Sequence, residues 1–198
     1  LVPMNRKING FRAVKEPWEL DRMRKAQQIT DKAFSEVLTK IKAGMTEKEV
    51  QTELIYCLYK NGADNLAFDP IVVSGPKTSM PHGVAGQRVI QEGDFITMDF
   101  GALYGSYCAD MTRTVAVGYA TDEMKEVYET VLTAQKAAIA ATKAGMKGKD
   151  VDAVARKIIE DAGFGPYFGH GLGHGDMELV SHYHMNLYFE GAGMILTL

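Results

Sequence analysis

The feature that most constrains the fold is an internal repeat at a fixed offset of 101 residues. The segment KAGMTEKEV at 42–50 is answered by KAGMKGKDV at 143–151, and the same offset aligns Gly62 with Gly163. Because the flanking positions agree in one register, we interpret the chain as two related halves, each with two helices followed by a strand. Neither half could bury its apolar face alone, so the halves are expected to pack about a pseudo-twofold axis. A site between them would draw residues from both.

Apolar residues at helical spacing predict two helices in each half. A capping box between Thr46 and Glu49 opens the second helix, and Gly62 ends it. The four predicted helices cover about 17–42, 46–61, 121–143 and 149–162.

The overall composition is that of an ordinary globular protein. The 198 residues are 46% hydrophobic and 24% charged, with room for one sizeable domain or two small ones. The net charge of −3 gives no indication of a nucleic-acid or membrane partner, and no apolar run is long enough to span a bilayer. The N-terminus lacks an apolar signal core, so a cytoplasmic location with reduced thiols at Cys57 and Cys108 is expected.

Residues 95–114, FITMDFGALYGSYCADMTRT, are typical of a β-hairpin that carries two aspartates. A two-residue turn at Tyr104-Gly105 would place Asp99 directly opposite Asp110, with Cβ atoms about 5 Å apart. Like charges opposed in this way destabilise a sheet. Either both carboxylates point into water, or one or two divalent cations lie between them.

Three of the histidines stand in glycine-rich segments. His170 and His174 lie in PYFGHGLGHG at 166–175, and His82 lies in SMPHG at 79–83. A single histidine is more often a structural residue than a ligand. Their occurrence in glycine-rich loops of a chain with paired aspartates favours a role in metal binding or catalysis.

Together these segments resemble the peptidase family with the pita-bread fold, which includes methionine aminopeptidase, aminopeptidase P, prolidase and creatinase. The DMTRT sequence at 110–114 is typical of the Xaa-Pro peptidases in that family. The resemblance implies an α+β pita-bread fold, with residues 1–15 as a linker remnant and 16–198 as a catalytic domain truncated before its final strands. The segments that carry the resemblance are 12–31, 68–83, 99–114 and 169–175.

The resemblance also implies roles for individual residues. Asp99, Asp110 and His174 would be metal ligands, with Asp110 bridging two ions, and His82 and His170 would line the substrate pocket. Two divalent ions are implied, with Mn²⁺ favoured by oxygen-rich ligation and Co²⁺, Zn²⁺ or Fe²⁺ as alternatives. The hydroxyls of Thr97 and Thr112 are expected to support the carboxylates.

The implied activity is hydrolysis of Xaa-Pro peptide bonds by a metal-activated hydroxide. The substrate would be a peptide with proline at its second position. A homodimer is also expected from the resemblance.

The C-terminal region departs from the family pattern. The family uses two further glutamate ligands, and GMILTL at 193–198 resembles the start of the segment that carries one of them. After the glycine-histidine segment a third pocket histidine is usual. Strict register places Ser181 there, whereas a shift of one residue places His182, which we take as the third catalytic candidate. Glu178 and Glu190 have no assigned place. We therefore expect this chain to bind metal weakly and to have low or no activity.

Two other functions share the fold. A non-catalytic peptide- or protein-binding module is favoured by the lost ligands, but the retained aspartates and histidines count against it. A creatine-type amidinohydrolase typically lacks the metal ligands, so the intact Asp99 and Asp110 count against that interpretation.

Overall fold

The computed structural model describes residues 14–143, 145–169 and 171–172, together with the backbone of two short strands at 187–189 and 194–196. His170, His174 and His182 lie outside the described residues, so their predicted roles are not tested by the structure.

Among the residues that the structure describes, four helices form two pairs, as the repeat predicts. The second helices of the two pairs each have 14 residues, and the later one begins and ends 101 residues after the earlier one. The helices are α1 (Pro17–Leu38), α2 (Glu47–Lys60), α3 (Asp122–Ala141) and α4 (Gly148–Asp161). Only α1 differs noticeably from the prediction, because the chain leaves the helix at Thr39.

Local interactions fix the ends of these helices. The predicted capping box is confirmed: Thr46 Oγ1 accepts a hydrogen bond from Glu49 N at 3.1 Å, and Thr46 N donates to Glu49 Oε2 at 2.7 Å. After α2 and α4, Gly62 and Gly163 adopt φ values of +99° and +86°, the left-handed conformation that ends many helices.

The two helix pairs bury equivalent faces. The first pair contributes to a first hydrophobic cluster and the second pair to a second one. The buried positions of the second pair follow those of the first at the 101-residue offset. Because position after position matches, the repeat of helix pairs is confirmed. The equivalent buried pairs are Ala26 and Val127, Ala33 and Ala134, Val37 and Ala138, Val50 and Val151, Leu54 and Ala155, and Leu58 and Ile159.

In the described part of the chain, eight strands form three small antiparallel sheets. The strands are β1 (Asn65–Leu66), β2 (Ile71–Ser74), β3 (Phe95–Phe100), β4 (Ala102–Tyr104), β5 (Tyr107–Cys108), β6 (Met111–Ala116), β7 (Leu187–Phe189) and β8 (Met194–Leu196). In the first sheet β3 lies between β2 and β6, in the second β4 lies between β1 and β5, and β7 pairs with β8.

The hairpin register differs from the prediction by two residues. Tyr104 pairs with Tyr107, so the turn is Gly105-Ser106 rather than Tyr104-Gly105. Both turn residues have positive φ values, +56° and +69°, as the twist of a two-residue hairpin requires. The predicted turn would have forced a positive φ on the aromatic residue Tyr104, which is sterically unfavourable.

Helix α1 holds the tip of the hairpin. Arg22 Nη1 donates a hydrogen bond to the Gly105 carbonyl at 3.0 Å. The Arg22 guanidinium also lies 4.9 Å from the centre of the Trp18 ring, and that ring packs edge-on against Tyr107. The turn is therefore anchored to the start of α1 through both backbone and aromatic contacts.

Gly101 marks the point where the hairpin passes from one sheet to the other. A Cβ atom added at Gly101 would lie 1.8 Å from the carbonyl oxygen of Ala109, so only glycine fits there. The two aspartates flank this crossing, Asp99 at the end of β3 and Asp110 just before β6.

We expect Gly101→Ala to lower the free energy of unfolding by more than the ~1–3 kcal/mol typical of overpacking, because the clash is with backbone. Gly62→Ala is the matched control: its site has open space, and only its positive φ is unfavourable, at a cost of about 1–2 kcal/mol. Urea denaturation of both variants checks this. Equal losses would contradict the close contact at Gly101.

Candidate active site

The two hairpin aspartates lie close together along the hairpin. The register places Asp99 opposite Thr112. Asp110 stands directly before β6, two residues from Thr112, so alternation continued past the end of the strand would place it on the same side. Both aspartates are half-buried, and Oδ1 of Asp110 is fully shielded from solvent. The predicted direct opposition of Asp99 and Asp110 is therefore wrong, and they are diagonal neighbours. In a regular ladder such neighbours are about 7–8 Å apart, which leaves more room between the carboxylates than direct opposition would.

Hydroxyl groups surround Asp99. Thr112 Oγ1 donates to Asp99 Oδ1 at 2.9 Å, so the predicted support from Thr112 is present. Thr97 and Thr114, the next opposed pair, have hydroxyl oxygens 3.0 Å apart and are buried. The carboxylate thus sits at the end of a polar row on a sheet face that is otherwise shielded from water.

The opposite face of β3 is apolar and rigidly held. Ile96, Met98 and Phe100 are each 0% exposed and belong to the first hydrophobic cluster. Because β3 also pairs with a strand on each side, its backbone has little freedom to shift. The sheet therefore fixes the position from which the Asp99 side chain projects.

The chemistry of this donor set fits a divalent cation. Two half-buried carboxylates are oxygen ligands of the type that hard divalent ions prefer, and a cation would offset their mutual repulsion. Within the described residues no group of three histidine, cysteine or acidic side chains is close enough to enclose an ion. The third ligand implied by the family resemblance, His174, lies outside those residues.

Cys108, close to Asp110 in the chain, is a free thiol. Partial desolvation raises the pKa of this thiol, and the nearby Asp110 carboxylate raises it further. The protonated form is thereby favoured, and a protonated thiol is a poor metal ligand. Cys57, in contrast, is buried in the first hydrophobic cluster as a core residue of α2.

His82 is exposed in a turn that packs against the same sheet. It follows a 3₁₀ turn over Gly75–Ser79 and precedes Gly83, whose N–H donates to the Met80 carbonyl at 3.1 Å. A Cβ atom at Gly83 would lie 2.6 Å from Val73 Cγ1, so the loop approaches β2 closely. Since β2 pairs with β3, the strand of Asp99, the His82 loop and the carboxylates are built on one sheet.

Helix α4 holds the start of the glycine-histidine segment. Asp152 Oδ1 accepts a hydrogen bond from Leu172 N at 2.6 Å, and Arg156 Nη1 donates to the Phe168 carbonyl at 3.2 Å. Arg156 also lies over the Phe168 ring and forms an ion pair with Asp152, which raises the pKa of the guanidinium. The chain on both sides of position 170 is therefore fixed to α4.

The first half uses the equivalent helix position for a similar purpose. Gln51, the counterpart of Asp152 at the 101-residue offset, donates from Nε2 to the Pro70 carbonyl just before β2. In both halves, a side chain in the second helix thus holds the backbone of the segment that follows. No signal in the sequence alone pointed to either residue.

We expect Asp152→Ala to lower the free energy of unfolding by about 1–3 kcal/mol, because the Leu172 N–H and Arg156 would lose a charged acceptor. Asp161→Ala is the matched control on the same helix. It removes an exposed ion pair with Lys157, also four residues apart, and exposed pairs contribute little to stability. Chemical denaturation of both variants measures the difference, and indistinguishable losses would show that Asp152 does not anchor the segment.

Among the helices that the structure describes, none combines the length and apolar character that a membrane-spanning segment needs.

Comparison with known proteins agrees with this architecture. Metallopeptidase family M24 matches residues 21–194. The Xaa-Pro dipeptidase of Pyrococcus furiosus is 40% identical over 197 residues, covering 96% of this chain and 56% of its own length. The uncharacterized peptidase YqhT of Bacillus subtilis is 45% identical over 175 residues, covering 88% of this chain and 50% of its own. The chain thus spans about half the length of these curated relatives.

Solved structures give the same result. The X-Pro aminopeptidase of Thermotoga maritima superposes with a TM-score of 0.91 at 39% identity, covering 98% of this chain and 60% of that one. The prolidase of Pyrococcus furiosus superposes with a TM-score of 0.90 at 34% identity, covering 98% and 63%. The predicted α+β pita-bread fold is confirmed, and the chain belongs to metallopeptidase family M24.

Proposed function

We propose that the protein hydrolyses Xaa-Pro peptide bonds in a metal-dependent reaction. The observation that carries the proposal is the half-buried carboxylate pair, Asp99 and Asp110, on one side of the hairpin of an M24 metallopeptidase. The names of the relatives, an Xaa-Pro dipeptidase and an X-Pro aminopeptidase, support a substrate with proline at its second position.

Membership of a metallopeptidase family implies divalent metal ions, and Asp99, Asp110 and His174 are the proposed ligands. Bound divalent ions would polarise the scissile carbonyl and supply hydroxide at neutral pH. We propose two ions, with Mn²⁺ favoured by the oxygen-rich ligands and Co²⁺, Zn²⁺ or Fe²⁺ as alternatives.

The protein's own groups orient the reactants. The hydrogen bond from Thr112 fixes the rotamer of Asp99, so that one carboxylate oxygen faces a constant direction. His82 and His170 are proposed to donate hydrogen bonds to the substrate carbonyl as negative charge develops on its oxygen, and His182 is the third candidate for this role. A cytoplasmic homodimer remains part of the proposal.

The proposal is tested by hydrolysis of Xaa-Pro dipeptides in the presence of Mn²⁺, with Asp99→Asn and Asp110→Asn as variants. Each should reduce kcat/KM by at least about 100-fold, because the neutral amide is a poor ligand and the loss of a charged group from a site is costly. Asp122→Asn, at an exposed aspartate of α3, is the control and should have wild-type activity. Wild-type rates in the Asp99 and Asp110 variants would overturn the assignment.

A metal-dependent peptidase and a peptide-binding module respond differently to Mn²⁺. The proposed peptidase should bind Mn²⁺ and cleave Xaa-Pro peptides only in its presence, whereas a peptide-binding module would bind Xaa-Pro peptides with no dependence on metal. Calorimetric titration with Mn²⁺ and then with peptide distinguishes the two. Metal-independent peptide binding without hydrolysis would favour the module and would contradict the proposed peptidase.

Thr112→Val should weaken Mn²⁺ binding about 10- to 100-fold, because Asp99 loses the hydroxyl that orients it. Thr114→Val is the control, since its hydroxyl contacts Thr97. Calorimetry gives the two dissociation constants, and circular dichroism verifies that both variants are folded. Equal affinities in the two variants would show that the Asp99–Thr112 hydrogen bond does not assist the metal.

A further inference from the structure

A buried carboxylate lies at the first residue of α2, away from the hairpin aspartates. The Glu47 side chain is 0% exposed, and both of its oxygens accept hydrogen bonds. Oε1 accepts from Ser74 N at 2.9 Å and from Ser74 Oγ at 3.0 Å. Oε2 accepts from Lys77 Nζ at 2.6 Å and from Gly86 N at 3.0 Å. Four donors thus converge on one side chain.

These donors keep Glu47 charged. Burial alone would raise the pKa of the carboxyl group, but the hydrogen bonds from Lys77, Gly86 and Ser74 outweigh burial, and the pKa lies below its usual value. A buried charge is unfavourable unless it is paired and fully hydrogen-bonded, and Glu47 meets both conditions. The ionised carboxylate therefore binds the loop firmly, because releasing any donor would leave part of a buried charge unsatisfied.

The same contacts hold the two ends of the loop that carries His82. Ser74 and Gly86 lie on either side of it in the sequence, and Glu47 joins them at the base of the loop. Lys77 also connects the two arms of the loop, because its Nζ donates a hydrogen bond to the Val84 carbonyl at 3.1 Å. The two ends of the segment between Ser74 and Gly86 are therefore both hydrogen-bonded to Glu47, and Lys77 adds a hydrogen bond within the segment.

A second ion pair supports the base of the loop. Arg88 forms a two-pronged contact with Asp94, with distances of 2.6 and 3.0 Å, and donates to Ser74 Oγ at 2.7 Å. The Ser74 hydroxyl accepts from Arg88 and donates to Glu47, so its orientation is determined from both sides.

The helix repeat itself does not require this carboxylate. The position equivalent to Glu47 in the second half is Gly148, and α4 has the same length as α2 without an acidic residue there. The buried charge is therefore specific to the half that carries the His82 loop.

We propose that Glu47 and Lys77 are positioning residues that hold the Ser74–Gly86 loop so that His82 reaches the substrate. The inference rests on the proposed function, in which His82 contacts the substrate carbonyl. Neither residue is proposed to touch the substrate itself.

The first test observes His82 directly and needs no activity. In the full chain, the His82 ring signal in the NMR spectrum is identified by its loss in His82→Ala. Glu47→Gln and Lys77→Met should each shift or broaden this signal, and amide exchange within 74–86 should become at least about tenfold faster. Lys77→Arg should restore the wild-type signal. Glu49→Gln removes a charge from the same helical turn, but the Glu49 carboxylate hydrogen-bonds Thr46 rather than the loop, so this variant should leave both readouts unchanged.

The second test is kinetic. Glu47→Gln should lower kcat by about 10- to 100-fold with a smaller effect on KM, because a misplacement of about 1 Å has effects of this size. The double variant Glu47→Gln/His82→Ala should be no slower than His82→Ala alone, since both changes remove the same contribution. Multiplied losses would show that Glu47 supports the fold generally and would overturn the positioning role.

The outcomes separate the two proposals. An unchanged His82 signal and unchanged exchange in both Glu47→Gln and Lys77→Met overturn the inference, whatever the activity. If Glu47→Gln does not fold, the ring signal and amide exchange of Lys77→Met decide whether the inference holds. Lys77 is 33% exposed, so its replacement is less disruptive to the fold. A wild-type protein that neither binds Mn²⁺ nor cleaves an Xaa-Pro substrate contradicts the proposed function, and the ring signal and exchange then decide the positioning role alone.

Discussion

The pairing of β3 with a strand on each side is the constraint on which the candidate site depends. Register in a sheet is all-or-none, because a slip of one residue would exchange the buried and polar faces of the whole strand. Here Ile96, Met98 and Phe100 occupy the core, which commits Thr97 and Asp99 to the other face. The acidic position follows from the packing of its apolar neighbours rather than from any contact of its own.

The two halves of the molecule share a plan, and their differences are informative. Gln51 and Asp152 occupy equivalent helix positions and each hold the following backbone, so this arrangement belongs to the shared plan. Glu47 and Gly148 are equivalent in position but not in chemistry. The two halves use equivalent residues to hold the backbone that follows the second helix. A position at which the halves differ in chemistry, such as Glu47 and Gly148, indicates a function confined to one half.

Much of the fold could be predicted because its signals are local. The capping box at Thr46 and the glycines after α2 and α4 depend on residues close together in sequence, and the repeat is found by comparing two such local patterns. The hairpin register was missed by two residues, because both candidate turns contained Gly105 and only the backbone twist separates them.

Other features of the site depend on contacts that are distant in sequence. Glu47 was missed because an acidic residue in the first turn of a helix normally faces solvent and complements the helix dipole. Its loop partners are far along the chain, and nothing local marks it as buried. The Asp152 anchor escaped notice for the same reason. The assignments of His170, His174 and His182 stay predictions from the family resemblance.

The contact between α1 and the hairpin tip has a practical consequence. Trp18 is the sole tryptophan of the sequence, and its ring touches both Arg22 and Tyr107. A neighbouring phenol alters the emission of an indole, and the Tyr107 ring reaches Trp18 only while the hairpin is docked on α1. The protein therefore carries an intrinsic optical reporter of the hairpin that bears its two aspartates, readable without any added label.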